Sequence, residues 1–239
     1  MAEVGTLYAG TSGFAYKEWK GPFYPEDAKD KDLLAHYSAL LPSVEINYTF
    51  RRLPADTTLE KWKTGSTDKF RFTLKASQRI THFKRLKEVT DDVETFVGRA
   101  RILGEKLGTV LFQLPPNLAF EKEVLAKFLG ALPPGIRYAM EFRHASWNEP
   151  DVDILLKEHA VARCGADTEE TPVDEVPITA RHVYLRLRRL EYEEEALDLW
   201  TKKVSDILSR GHDVYCYFKH EGGGIGPAYA TRVLKAATS

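Results

Sequence analysis

Short runs in which apolar and polar residues alternate recur along the chain, with amphipathic stretches between them. Alternation places successive side chains on opposite faces of a strand. It predicts strands over 6–10, 44–48, 70–75, 110–114, 138–143, 160–165, 183–188 and 214–219. The intervening amphipathic stretches predict helices over 32–41, 56–63, 91–105, 122–132, 151–158, 191–209 and 228–236. Between the sixth and seventh strands only a weak turn of helix is visible, near 172–176. Thr90 before Asp91-Asp92 has the form of an N-cap with acids in the first turn. The acidic run 191–195 opens a helix that closes on Arg210-Gly211.

Strands separated by crossover segments imply a parallel sheet. The mean repeat is about 30 residues, the size of a βαβ step. A length of 239 residues suits closure, so the α/β fold expected is a single (β/α)8 TIM-type barrel over 1–239. An open doubly wound sheet is the alternative. Gly10-Thr11-Ser12-Gly13 lacks the third glycine of a dinucleotide fingerprint.

Strand parity divides the side chains further. Val44 and Ile46, Phe72 and Leu74, Val110 and Phe112, Met140 and Phe142, and Val183 and Leu185 form an apolar set suited to face helices. The opposite face is polar toward the carboxyl ends, with Glu45, Asn47, Lys75, Gln113, Glu141, Arg143, Arg186, Arg188 and Lys219. A barrel lumen is normally filled by branched apolar side chains, and charge inside it is costly unless paired or wet. These groups are therefore expected around a solvent-open mouth, where barrel enzymes place their chemistry. With Asp167 counted among the acids, the bases Lys75, Arg143, Arg186, Arg188 and Lys219 outnumber Glu45, Glu141 and Asp167. A positive mouth points to an anionic ligand. A closed network of ion pairs with no ligand is the competing reading.

Composition narrows the classes. Hydrophobic residues are 43% and charged residues 29%, ordinary globular values that argue against disorder. The net charge of −1 disfavours a general polyanion-coating role. No apolar run approaches the roughly 20 residues of a membrane span. No secretory signal is visible, and Cys164 and Cys216 read as reduced core residues. The expected setting is cytoplasmic, with no membrane contact.

The same residues carry a resemblance. Gly10-Thr11-Ser12-Gly13-Phe14 with Tyr16, Trp19, Gly21 and Phe23-Tyr24-Pro25 resembles the opening signature of the DUF72 (YecE-like) family. Val44-Glu45-Ile46-Asn47 with Thr49-Phe50 and Pro54 resembles its second signature. Thr81-His82, Phe112-Gln113-Leu114-Pro115-Pro116, and Glu141-Phe142-Arg143-His144 with Ser146-Trp147 complete it. The resemblance covers nearly the whole chain. It implies a TIM-type barrel similar in architecture to the xylose isomerase and endonuclease IV group, with no established activity. Three positions depart from the common pattern. Arg186-Leu187-Arg188-Arg189 stands where many members have Arg-x-His-Gly, Lys219-His220 where many have Asn-Asn, and Phe14 where Trp is frequent.

Weighed singly, Glu141 is the leading candidate for proton transfer, with Arg143 on the same face as its expected partner and anion clamp. Arg143 should hold Glu141 as a carboxylate. Glu45 and His82 join it as candidate catalytic groups. Asn47, Lys75, Gln113, Arg143, His144, Trp147, Asp167, Arg186, Arg188, Lys219 and His220 are candidates for substrate binding. Lys75 would form a Schiff base only with a lowered pKa, and nearby acids are expected to hold it charged. Trp19, Tyr24, Phe50 and Trp147 stack a ring or pack as a lid. The glycines 222–226 open the last helix and suit phosphate. No metal or cofactor is assigned, because HxH, HExxH and CxxC are absent and surplus bases oppose a cation. The reading is an enzyme acting on an anionic, phosphate-bearing or nucleic-acid-derived substrate. The alternatives are a metal-dependent sugar isomerase or endonuclease IV-like enzyme, and a non-catalytic binding barrel.

Overall fold

In the computed structural model, which describes residues 4–219 and 223–237, all eight strands form. They are β1 (Leu7–Ser12), β2 (Ser43–Ile46), β3 (Arg71–Lys75), β4 (Leu107–Gln113), β5 (Arg137–Glu141), β6 (Ala162–Asp167), β7 (His182–Leu187) and β8 (Asp213–Phe218). Each is parallel to its neighbours, and β8 pairs back onto β1, so the sheet closes into a barrel. The open-sheet alternative is thereby excluded. The helices are α1 (Leu33–Leu40), α2 (Asp56–Thr64), α3 (Thr90–Ala100), α4 (Lys122–Gly130), α5 (Pro150–Glu158), α6 (Glu194–Ser209) and α7 (Ile225–Ala237). No helix joins β6 to β7, where the sequence carries only a weak turn. None of the described helices is long and apolar enough to cross a membrane.

The main apolar core lies between the outer barrel face and the helices. Val44, Phe72, Leu74, Val110, Phe112, Met140, Val183 and Leu185 are all buried there, as their parity requires. Pro150 occupies the first turn of α5, where its missing N–H breaks no helical bond. Thr90 is the first residue of α3, and no side-chain cap precedes it; Asp91 and Asp92 still occupy the first turn. Asp92 is engaged by Arg79 and Lys84.

The lumen departs from the branched apolar filling expected of a barrel. Tyr184, Tyr215 and Tyr217 fill it with Leu111, Ala139 and Ala162, and Tyr8 packs against this group. Tyr8 stacks on Tyr215 at 4.7 Å between ring centroids. Buried phenols need hydrogen-bond partners. Tyr217 shares its hydroxyl with Ser43 at 2.6 Å and Thr73 at 2.8 Å. Tyr184 donates upward to Glu45 Oε2 at 2.6 Å. Rings thus fill the volume while hydroxyls support the charged layer above.

Candidate functional site

The charged layer lies at the carboxyl ends of the strands, beneath a cleft of about 920 Å³. Its centre is Arg186 on β7, buried at 3% exposure between two carboxylates. Arg186 Nη1 donates to Glu141 Oε2 at 2.5 Å, and Nη2 donates to Glu45 Oε1 at 2.8 Å. The expected Glu141–Arg143 pair does not form. Strand β5 ends at Glu141, so two-residue parity no longer governs Arg143, which stands exposed on the cleft wall.

Glu45 lies beneath the floor rather than on it. It is fully buried and does not line the cleft. Ser12 Oγ and Asn47 Nδ2 donate to Oε1 at 2.9 and 3.2 Å, alongside Arg186, while Tyr184 holds Oε2. Burial pushes its carboxyl pKa up. The fields of Arg186 and Arg188, with hydrogen bonds from Arg186 and Tyr184, outweigh that and lower it from 4.5 to about 2. Every oxygen is spoken for, so Glu45 positions Arg186. Its expected catalytic place is not supported by this geometry.

Glu141 does face the cleft. Gln113 Nε2 donates to its Oε1 at 2.8 Å, and Lys75 Nζ donates to Gln113 Oε1 at 2.7 Å. Lys75, Gln113, Glu141 and Arg186 therefore form one connected row. Arg188 Nη1 donates to Ser12 Oγ at 2.8 Å and also lines the cleft. Asn47 lines it with Oδ1 buried and without a hydrogen-bond partner. His144 lines the wall exposed, its Nδ1 within 2.9 Å of Ser146 Oγ.

Lys75 does not keep the ordinary ammonium pKa that the nearby acids were expected to secure. Desolvation and then Arg186 lower its pKa from 10.5 to about 8, against the pull of Glu45 and Glu141, with Arg188 adding to the fall. The acids are less effective than their number implies because Arg186 sits between them. His82 stands at the rim, edge-on to Phe50 at 4.9 Å, and does not line the cleft. Burial, then Lys75 and Arg143, lower its pKa.

Other expectations are corrected. Asp167 lies outside the mouth. Strand β6 runs to Asp167, with Ala162 and Cys164 packed toward the lumen, so odd positions face outward. Asp167 Oδ1 accepts from Val173 N at 3.0 Å and Arg189 Nη2 at 2.9 Å, and Oδ2 accepts from Tyr192 at 2.8 Å. Trp147 is core, stacked on Phe142 at 4.4 Å with its indole N–H given to Leu118 O. Trp19 and Tyr24 are likewise buried. Lys219 is half-buried beyond β8 and does not line the cleft. His220 and Gly222 lie outside the described residues. Gly223 and Gly224 precede α7 with positive φ, away from the cleft.

The charge of the mouth is layered rather than uniformly positive. Lys75, Arg186 and Arg188 gather near Glu141, with Glu45 behind it, in the deep part, and Arg143 stands exposed on the wall. The β6–β7 loop builds an outer wall bearing Glu170, Asp174 and Glu175. That wall and Tyr184 are the parts that reading the sequence for motifs misses, and Ser12 stands in the opening signature without a role assigned to it. The absent helix between β6 and β7 was the signal for the loop, and the parity shared by Tyr184 and Arg186 was the signal for the tyrosine. Among the described residues no three His, Cys, Asp or Glu side chains are grouped as metal ligands.

Comparison with known proteins agrees with the architecture. The DUF72 family, described as "Protein of unknown function DUF72", matches residues 8–239. The chain is 23% identical over 260 residues to UPF0759 protein YunF of Bacillus subtilis, covering 91% of this chain and 90% of that protein. It is 33% identical over 112 residues to UPF0759 protein YecE of Escherichia coli K12, covering 46% and 41%. A crystal structure of a DUF72 family protein from Thermotoga maritima is 27% identical, with a TM-score of 0.86 over 98% of this chain and 100% of that one.

Proposed function

The chain belongs to the DUF72 family, and from that premise we propose that it is an enzyme acting on an anionic substrate, a phosphate ester or nucleic-acid component, at the carboxyl end of its barrel. One observation carries this reading: a carboxylate open to the cleft, Glu141, shares it with Lys75, Arg143, Arg186 and Arg188. Glu141 moves the proton. Gln113 and Arg186 each hold one of its oxygens and leave further lone pairs for a substrate hydroxyl or water. A general base must stand within hydrogen-bond reach of the proton it takes, and a carboxylate clamped on both oxygens is oriented before substrate arrives.

The cations divide the remaining work. Arg186 pairs with both acids, and with Lys75 and Arg188 beside it the cations there outnumber the two carboxylates, so an incoming anion meets a positive balance. Arg143 and Arg188 line the walls and receive the anionic group; a guanidinium offers the planar fork that phosphate oxygens match. The acidic outer wall disfavours long polyanions and favours a small ligand whose charge is confined to one end.

Thermal-shift titration with phosphate, sulfate and mononucleotides tests the reading. A ligand at a hundredfold its dissociation constant adds roughly 2.7 kcal/mol of stability. The expected result is a rise in melting temperature that Arg143→Ala diminishes. Absence of any shift with millimolar phosphate compounds overturns the reading.

A further inference from the structure

Lys75 has a position in the cleft that anion binding alone does not account for. It ends β3 on the floor, its Nζ donating to Gln113 Oε1 at 2.7 Å and lying 4.2 Å from the centroid of Phe50. No carboxylate forms an ion pair with it among the described residues. Glu45 is saturated by Ser12, Asn47, Tyr184 and Arg186, while Glu141 is taken by Gln113 and Arg186. A lysine meant only to bind an anion needs its charge, and lysines that keep their charge in partly buried sites are usually paired. Here the amine is held by a neutral amide, beside a proton-transfer group and open to ligand.

We propose that Lys75 is a nucleophilic amine that condenses with the carbonyl carbon of an aldehyde or ketone bearing a phosphate or carboxylate group, forming an imine in the cleft. The inference rests on the reading of the cleft as an anion site and names its substrate class. The anionic end meets Arg143 and Arg188, and the carbonyl end meets Lys75. The Nζ lone pair forms the C–N bond as the carbonyl π pair moves to oxygen. A proton passes from nitrogen to that oxygen, giving a carbinolamine. Its hydroxyl takes a second proton, drawn from solvent in the open cleft, and leaves as water while the nitrogen lone pair closes the C=N bond. Carbonyl plus neutral amine plus one proton becomes protonated imine plus water, and no oxidant is consumed.

The electrostatics agree with this geometry. Burial, Arg186 and Arg188 disfavour the ammonium; Glu45, Glu141 and the Phe50 face favour it; half-buried His82 also stands nearby. The balance falls at about 8 instead of 10.5, so at neutral pH the neutral amine is about 300-fold more abundant than on an ordinary lysine.

Pyridoxal 5′-phosphate, an aldehyde bearing a phosphate, is the probe, and pyridoxal is its phosphate-free control. The full chain is incubated with each, reduced with borohydride and mapped by peptide mass. The expected result is one label per chain at Lys75, with a rate that rises through a midpoint near pH 8 and is slowed by sulfate. Lys75→Arg keeps a cation but should take no label there, while retaining the sulfate-induced rise in melting temperature. Labels spread over surface lysines with Lys75 bare overturn the proposal. If sulfate still raises the melting temperature of that protein, the anion site stands and only the amine chemistry falls; if it does not, both fall. Equal labelling of Lys75 by pyridoxal and its phosphate keeps the amine and overturns the anionic substrate.

Discussion

Glu45 and Glu141 are both glutamates at strand ends, and their surroundings give them different work. Glu141 keeps a face on the cleft, so Glu141→Gln preserves shape while removing the proton acceptor. Once a substrate is found, turnover should fall about 10²- to 10⁴-fold with binding largely kept. Comparable turnover in the variant removes Glu141 from catalysis. Glu45 is buried and saturated, so Glu45→Gln should act on stability instead. Its folded pKa, about 2, lies below the ordinary 4.5. A depressed carboxyl pKa contributes stability that is present above the unfolded value and is lost as pH falls through the folded one. The contribution is about 3 kcal/mol at neutral pH and about 1 kcal/mol by pH 3. Urea unfolding of parent and variant should therefore diverge at pH 7 and converge as pH falls. A constant difference across that range refutes the assignment. The sequence exposed both glutamates as polar residues on a lumenal face. It did not expose their shared partner, because Arg186 reaches Glu141 across 45 positions and Glu45 across 141. Partner choice depends on where the chain bends after β5, which alternation within a strand does not encode.

At the scale of elements, alternation served best where apolar side chains were large. Phe72, Leu74, Val110 and Phe112 leave no doubt about their face, and burial against the helices follows. Strand β6 reads Ala-Arg-Cys-Gly-Ala-Asp, with no large apolar member to set the phase. Alternation alone ends it two residues early and places Asp167 at the mouth. In the structure Asp167 pins the β6–β7 loop through Val173 N, and fixes Arg189 and Tyr192 from the following segment. Asp167→Ala should leave these donors unpaired and free the acidic outer wall. The expected cost is about 1–3 kcal/mol. Hydrogen exchange should accelerate over 168–177 while β5 and β8 stay protected. Unchanged exchange in that loop would contradict the pinning role. Gly10 marks another constraint between elements. A Cβ there would lie 1.9 Å from Ser43 O, where β1 and β2 are paired. Gly10→Ala should force the strands apart and destabilise by about 1–3 kcal/mol, read by denaturant unfolding.

The whole molecule is nearly neutral at −1, yet the deep cleft concentrates cations behind an acidic rim. Net charge therefore says little about the ligand, while the local field says much. That field also couples binding to protonation. Sulfate does not titrate between pH 7 and 9.5. Over the same range Glu45 stays ionised, the guanidiniums stay charged, and His82 stays neutral because burial, Lys75 and Arg143 lower its pKa. Lys75, at about 8, is a cleft group whose charge changes there. An anion among these cations favours the ammonium, so binding should draw a proton onto Lys75. Sulfate affinity should then weaken by about tenfold as pH rises from 7 to 9.5, the loss of one nearby charge at an intermediate dielectric. Calorimetry at pH 8.5 in two buffers of different ionisation heat reads the proton directly, as net uptake on binding. Lys75→Arg keeps the charge across the range, so its affinity should stay flat and its uptake should vanish. A parent protein that binds sulfate with neither uptake nor pH dependence would place the anion beyond the reach of Lys75, nearer the exposed Arg143.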